Sequence, residues 1–258
     1  MSRLRKTDDR TSARLPDDPT IAALDAELRE RLGRQWASRA TAELRVAAIF
    51  SIVSGGLLET GADPAVIQIA ARAVSDEVRH AEICRQLAER YLGRAVPWPP
   101  AGRAPMPELA RAPKELRPTL HTIAMGCVNE TIASAWLEES LRPTTSPLAR
   151  AALRELIADD IHHARLGWAH LASPFVPARL RREIGGWLPG LLSAVVKPWV
   201  ADAKDRVVEG VPSHGVPSFE TTRSVVRSTL RDVVLPGFES LGVPVARASE
   251  WCKRELDG

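Results

Sequence analysis

The sequence predicts an all-α fold, a four-helix bundle with one long crossover and extra C-terminal helices. Three observations predict it. Long stretches carry an apolar period near 3.6 residues, and none shows convincing strand alternation. Aspartate-proline and serine-proline pairs open two of those stretches as N-cap and first helical residue. A proline-rich connection separates two helical hairpins. At 258 residues, 45% of them hydrophobic, the chain can bury one sizeable core with length to spare.

Residues 1–19 (MSRLRKTDDRTSARLPDDP) are charged and lack an apolar h-region, so they read as a disordered leader and not a secretion signal. A cytoplasmic location is the expectation. A short helix is expected over Thr20–Arg31, with Asp18 or Thr20 as cap, and a longer one over Trp36–Leu58, stopped by Glu59-Thr60-Gly61. Asp63-Pro64 opens the next, which runs to Tyr91. The stretch Arg94–Pro118, with PWPPAGRAPMP inside it, cannot be one regular element. It is long enough to cross a bundle: a helix of about 25 residues spans ~38 Å, and 20 extended residues reach ~66 Å. A third long helix covers Thr119–Leu141, and Ser146-Pro147 opens a fourth that runs to Ala172. Residues 20–173 thus form the expected bundle, and residues 174–258 a helical extension packed on it. The extension's helices are expected at Ala178–Val200, Phe219–Val234 and Val245–Leu256.

Composition narrows the function. Cys84, Cys127 and Cys252 are odd in number and have no CxxC spacing, which argues against a disulfide framework or a thiolate metal site. A net charge of +3 gives little reason to expect nucleic acid, and the arginine excess fits codon bias in a GC-rich genome better than phosphate binding. The longest apolar stretch, Val46–Leu58, is broken by Ser51, Ser54, Gly55 and Gly56, so no membrane span is expected.

Four places supply metal-ligand residue types, one on each long helix. Glu43 lies midway along the first. Glu77 and His80 are three residues apart on the second and share a face. Glu130 is on the third, and Asp160 and His163 repeat the pair spacing on the fourth. Depth agrees as well. In an antiparallel hairpin, residues equidistant from the turn lie level. Thr60 is 17 residues from both Glu43 and Glu77, and Thr145 is 15 from both Glu130 and Asp160. Each carboxylate pair therefore falls level within its own hairpin. Glu43 and Glu130 sit among Ala, Val, Ile and Trp, where an unpaired carboxylate is costly to bury.

Across residues 36–172 the chain resembles the ferritin-like di-iron carboxylate superfamily, whose members use one carboxylate-x-x-His pair on each of two helices and a lone glutamate on each of the other two. Asp76-Glu77-Val78-Arg79-His80 matches the DExRH form of its oxygenases and desaturases. The resemblance implies that Glu43, Glu77, His80, Glu130, Asp160 and His163 are metal ligands. It further implies that Asp76 and Asp159, with Arg79, support them by fixing the histidines. Asp160 departs from the usual glutamate by one methylene. Asp159 with His162 repeats the spacing one residue earlier, but aligning DEVRHAE with DDIHHAR favours His163. His121 and His170 lie too far along their helices to ligate.

Several branches of the superfamily fit less well. The one tyrosine, Tyr91, lies ~16 Å along the helix from His80, too far for a radical site. No cysteine-ligated iron module is present, as rubrerythrin requires. Ferritins usually have one histidine ligand and a shorter chain, and the arylamine N-oxygenases have an extra histidine where Leu156 stands. The resemblance then implies an oxygenase or oxidase holding two iron ions, Fe/Fe or Mn/Fe, with O₂ as co-substrate. It would hydroxylate, desaturate or N-oxygenate a small organic or carrier-bound substrate. Electrons would come from an external ferredoxin or reductase, since no flavin or iron–sulfur motif appears, and the chain could pair as a homodimer. Small residues near the ligands (Ala47, Gly126, Ala133, Ala164) suit oxygen access or plain helix packing, and Cys127 could line the cavity. Trp36, Trp136 and Trp168 suit electron transfer or, more simply, packing. The alternatives are an iron-handling ferroxidase, or a degenerate bundle in which Asp160 marks lost activity.

Overall fold

The computed structural model describes residues 15–100, 106–201 and 210–256. Residues 1–14 of the expected leader, and residues 101–105 of the crossover, lie outside the described residues. Among the described residues the fold is all-α, with one isolated antiparallel bridge between Val211 and Val216 and no strand.

A 3-10 turn, Pro19–Ala23, is capped by Asp18, whose carboxylate accepts from the Thr20 N–H at 2.9 Å. Helix α1 then runs unbroken over Ala26–Glu59, capped by Asp25 accepting from the Leu28 N–H at 2.7 Å. The sequence predicts two helices here, divided around Gly33. Instead Gly33 is a packing residue: a Cβ on it would meet Leu92 Cγ at 2.5 Å, so the missing side chain lets the hairpin partner close in. That partner is α2, Pro64–Leu92, opened by Asp63 and closed by Gly93 in the left-handed conformation at φ 65°.

The third rod combines α3 (Arg117–Thr122), a π-helical stretch (Ile123–Asn129) and α4 (Glu130–Leu141). The wide turns end where Glu130 begins. Periodicity alone shows only one helix here, because Ile123 to Val128 are all buried and carry no one-sided pattern for the wider turns to break. Helix α5, Pro147–Ala172, starts at Ser146, whose hydroxyl accepts from the Ala149 N–H at 3.1 Å.

Helix α1 packs on α2, α2 on α5, α5 on α4, and α3 returns to α1. The π stretch crosses α5 at backbone contact. A Cβ on Gly126 would meet Gly167 N at 2.4 Å, and one on Gly167 would meet Cys127 N at the same distance. Gly126 is therefore filled by its neighbour and leaves no room for a substrate. Gly126→Ala is expected to lower stability by about 1–3 kcal/mol, read as a lower urea midpoint at unchanged slope.

The extension comprises α6 (Ala178–Ile184), α7 (Leu188–Val200), α8 (Phe219–Thr229), a second π stretch (Leu230–Val234), α9 (Leu235–Ser240) and α10 (Ala246–Leu256). The expected Ala178–Val200 helix divides at Gly185-Gly186. Gly185 lies so close to Pro244 that a Cβ would meet its carbonyl oxygen at 2.6 Å. Helix α8 packs against α4, and α7 against the first π stretch. One apolar cluster joins Leu120, Val128 and Ile132 to Leu192, Val226 and Trp251.

Two further apolar clusters flank the level of the ligand-type residues. One, around Trp36, Leu87 and Leu153, lies on one side, and the other, around Phe50, Ala73 and Leu166, on the opposite side. By length and composition α1 could cross a membrane, with mean hydropathy 1.4 over an 18-residue window. A search for an uninterrupted run misses this because of the serines and glycines. Core helices pass the same test, and α1 buries Leu32, Trp36, Phe50, Val53 and Leu57 in these clusters.

Candidate metal centre

Helices α1, α2, α4 and α5 bring the six ligand-type residues to one level of the interior. Glu77, His80, Glu130, Asp160 and His163 are 1–6% exposed, and the Glu43 side chain is 14% exposed. Their oxygen and nitrogen atoms fall into two groups with all members within 4.8 Å of one another. The first is Glu77, Glu130, Asp160 and His163, and the second is Glu43, Glu77 and His80. Glu77 belongs to both.

Both imidazoles turn Nδ1 inward. His163 Nδ1 lies 3.1 Å from Glu77, 3.4 Å from Asp160 and 3.9 Å from Glu130. His80 Nδ1 lies 3.5 Å from Glu77 and 3.6 Å from Asp160. Three of the converging atoms, Glu77 Oε2, Asp160 Oδ1 and His163 Nδ1, are buried without a hydrogen-bond partner. Orphaned buried polar atoms of this kind are costly unless something pairs them. Carboxylate and imidazole donors suit manganese, iron or zinc, so the residues fit a metal centre.

The outward nitrogens are held crosswise. His80 Nε2, on α2, lies 3.2 Å from Asp159 on α5, and His163 Nε2, on α5, lies 3.4 Å from Asp76 on α2. Each carboxylate preceding a ligand-type carboxylate thus serves the histidine of the opposite hairpin, and with Nε2–H donating, the Nδ1 lone pair faces inward. Arginines complete the brace. Arg79 donates to Asp159 and, at 2.9 Å, to Glu155, and Arg72 donates to Asp76 at 3.2 Å. His162 is exposed and outside the group, while His163 is buried within it.

Charge follows burial and pairing. Burial raises Glu43 to about 7, although Arg39 pulls it down. Burial also raises Glu130 well above the usual carboxylate range, helped by Glu77 and Asp160. Burial would raise Glu77 too, but His163 and His80 hold it down at about 2. Burial disfavours the His80 cation, yet Asp159 and Glu77 raise it to about 10. His163 is raised further still by Asp160, Asp76 and Glu77 against the same burial. Without metal, the surrounding carboxylates favour the protonated form of both imidazoles.

Other expected residues stand apart. Cys127 is buried in the extension-facing apolar cluster, where a Cβ on Gly167 would meet its sulfur at 2.7 Å. Burial pushes its thiol up. His170 is buried two turns beyond His163, within 3.0 Å of Thr119, and burial lowers it to about 4. Trp168 donates to Thr131 at 3.1 Å and packs on Phe238.

Besides Arg72 and Glu155, sequence reasoning missed three contributors. Arg39 donates to Glu43 at 2.9 Å, an i, i+4 pairing that spacing alone could have flagged. Asn129 donates to Glu130 at 2.9 Å, signalled only by adjacency. Trp199 donates to Asn129 at 3.2 Å across 70 positions, and nothing local announces it. No family model, no curated protein and no solved structure matches this chain.

Proposed function

We propose that this protein is a ferritin-like two-metal carboxylate oxidoreductase, a di-iron oxygenase or oxidase acting on an organic substrate. The observation that carries the reading is the convergence of six ligand-type side chains from four helices, five of them buried and Glu43 nearly so, each histidine backed by a carboxylate from the opposite hairpin. In this reading Glu77, Glu130, Asp160 and His163 would hold one ion and Glu43, Glu77 and His80 the other, with Glu77 common to both sets. Bound iron supplies the electrons and the oxygen chemistry that the side chains cannot. The chain's own work is positional. Asp76 and Asp159 keep each Nδ1 directed inward, the apolar clusters on either side exclude water, and Phe50 packs against His163 with ring centres 5.3 Å apart. Repeated turnover requires an external electron donor.

Oxygen uptake by the protein reconstituted anaerobically with Fe(II) tests this. Without reductant, uptake is expected to stop once the bound iron is spent. With a reductase and a productive organic substrate it should become continuous. Sustained oxidation of free Fe(II) alone would replace this reading by iron handling, and no uptake at all would leave a metal-binding bundle without oxidase chemistry.

A further inference from the structure

Glu77 and Asp160 each have a histidine three residues on and an imidazole within 3.6 Å, whereas Glu43 and Glu130 have no such partner on their own helix. Each of these two lone glutamates is instead held by a relay that ends in the C-terminal helices.

The first relay begins on α7. Trp199 Nε1 donates to Asn129 Oδ1 at 3.2 Å, and Asn129 Nδ2 donates to Glu130 Oε1 at 2.9 Å. An indole N–H can only donate, so it selects the carbonyl side of the asparagine amide and turns the NH₂ toward the carboxylate. Without that donor the amide is free to flip and set its oxygen against Glu130. The second relay begins on α8. Trp136 Nε1 donates to Thr222 Oγ1 at 3.1 Å, while the Thr222 hydroxyl donates onward to the Ser218 carbonyl at 3.0 Å. Thr222 is thereby committed as an acceptor for Trp136. The Trp136 ring in turn lies under the Arg39 guanidinium at 4.7 Å, and Arg39 donates to Glu43 at 2.9 Å. The two relays touch where Trp136 and Trp199 meet edge-on, with ring centres 6.1 Å apart.

We infer that the C-terminal helices are a positioning layer of the metal centre, with Trp199 fixing Glu130 through Asn129 and Thr222 fixing Glu43 through Trp136 and Arg39. The inference rests on the metal-centre reading above and assigns the extension a task within it. Trp199 and Thr222 act through the residues between.

Co(II) is the probe, titrated into the metal-free full chain and followed by its visible absorption, whose bands report coordination geometry. The unaltered chain is expected to take up about two ions. Trp199→Phe keeps the ring and removes the donor. It should weaken one site about tenfold, the low end for losing a supporting partner, and shift that site's bands. Thr222→Val should do the same at the other site, and Thr222→Ser should restore it. Arg179→Ala, on the exposed face of α6, should change nothing. Asn129→Leu breaks the first relay inside the bundle and must reproduce the Trp199→Phe effect, so the test survives if the tryptophan variant does not fold. Variants with unaltered bands and affinities, in a chain that still binds about two ions, overturn the inference and leave the metal centre standing. Equal weakening of both sites by every variant overturns it as well, since that is general loosening. A chain that takes up no Co(II) overturns both.

Discussion

Replacing Glu77 by glutamine is expected to empty the centre of metal altogether. Glu77 is the residue common to both groups of converging atoms, so under the proposed two-metal reading its loss would remove a ligand from each ion, and the amide would supply no charge to offset two divalent cations. Substitutions at Glu43 or Glu130 touch one group each and should leave one ion in place. Metal analysis of the purified variants separates these outcomes. The same substitution should cost the metal-free protein about 3–5 kcal/mol, because it leaves two buried imidazolium ions short of an anion. Glu77 is 2% exposed, with His163 and His80 at 3.1 and 3.5 Å. Equal metal content in Glu77→Gln and the unaltered chain would refute the shared role.

Metal affinity is expected to rise steeply with pH. His80, raised to about 10, carries a proton at neutrality. So does His163, raised further by Asp160, Asp76 and Glu77 against its burial. Each Nδ1 must shed that proton before it can ligate, and Glu43, at about 7, gives up another near neutrality. Loss of two imidazole protons alone makes the overall loading constant rise about 100-fold per pH unit. Titrations at pH 6.5 and 7.5, in buffers of different ionisation enthalpy, count the protons directly. Above neutrality the metal-free chain responds with the opposite sign. His80 contributes stability in full below its unfolded value of 6.5 and loses it as pH climbs through about 10. Glu77 contributes above 4.5 and loses it as pH falls through about 2. Alkaline conditions should therefore loosen the empty protein while tightening its grip on metal. An affinity independent of pH would show that the histidines are not ligands.

Most of what places the candidate centre is local, and so was legible in the sequence. Asp63-Pro64 and Ser146-Pro147 mark helix starts through their caps, and the equal distances from Thr60 and Thr145 set the levels. The i, i+3 spacing chose the faces, and burial agrees with His163 over His162. What the sequence concealed depends on contacts between distant segments. The break expected between Arg31 and Trp36 is absent because Gly33 packs on Leu92, a partner invisible in the local pattern. The π stretch before Glu130 is buried on every side from Ile123 to Val128, so no break in a one-sided pattern betrays it. The crosswise pairing of Asp76 with His163 and Asp159 with His80 needs the helix order in space, and the Trp199–Asn129 contact needs the extension folded onto the bundle.

The most direct test of the central claim is the metal content of the chain after anaerobic reconstitution with Fe(II) and removal of unbound ions. About two irons per chain is the result the account requires, falling to one with Glu43→Gln and to none with Glu77→Gln. No stoichiometric iron in the unaltered protein would contradict it, and the buried carboxylates and histidines would then be a network of polar contacts that holds the helices together.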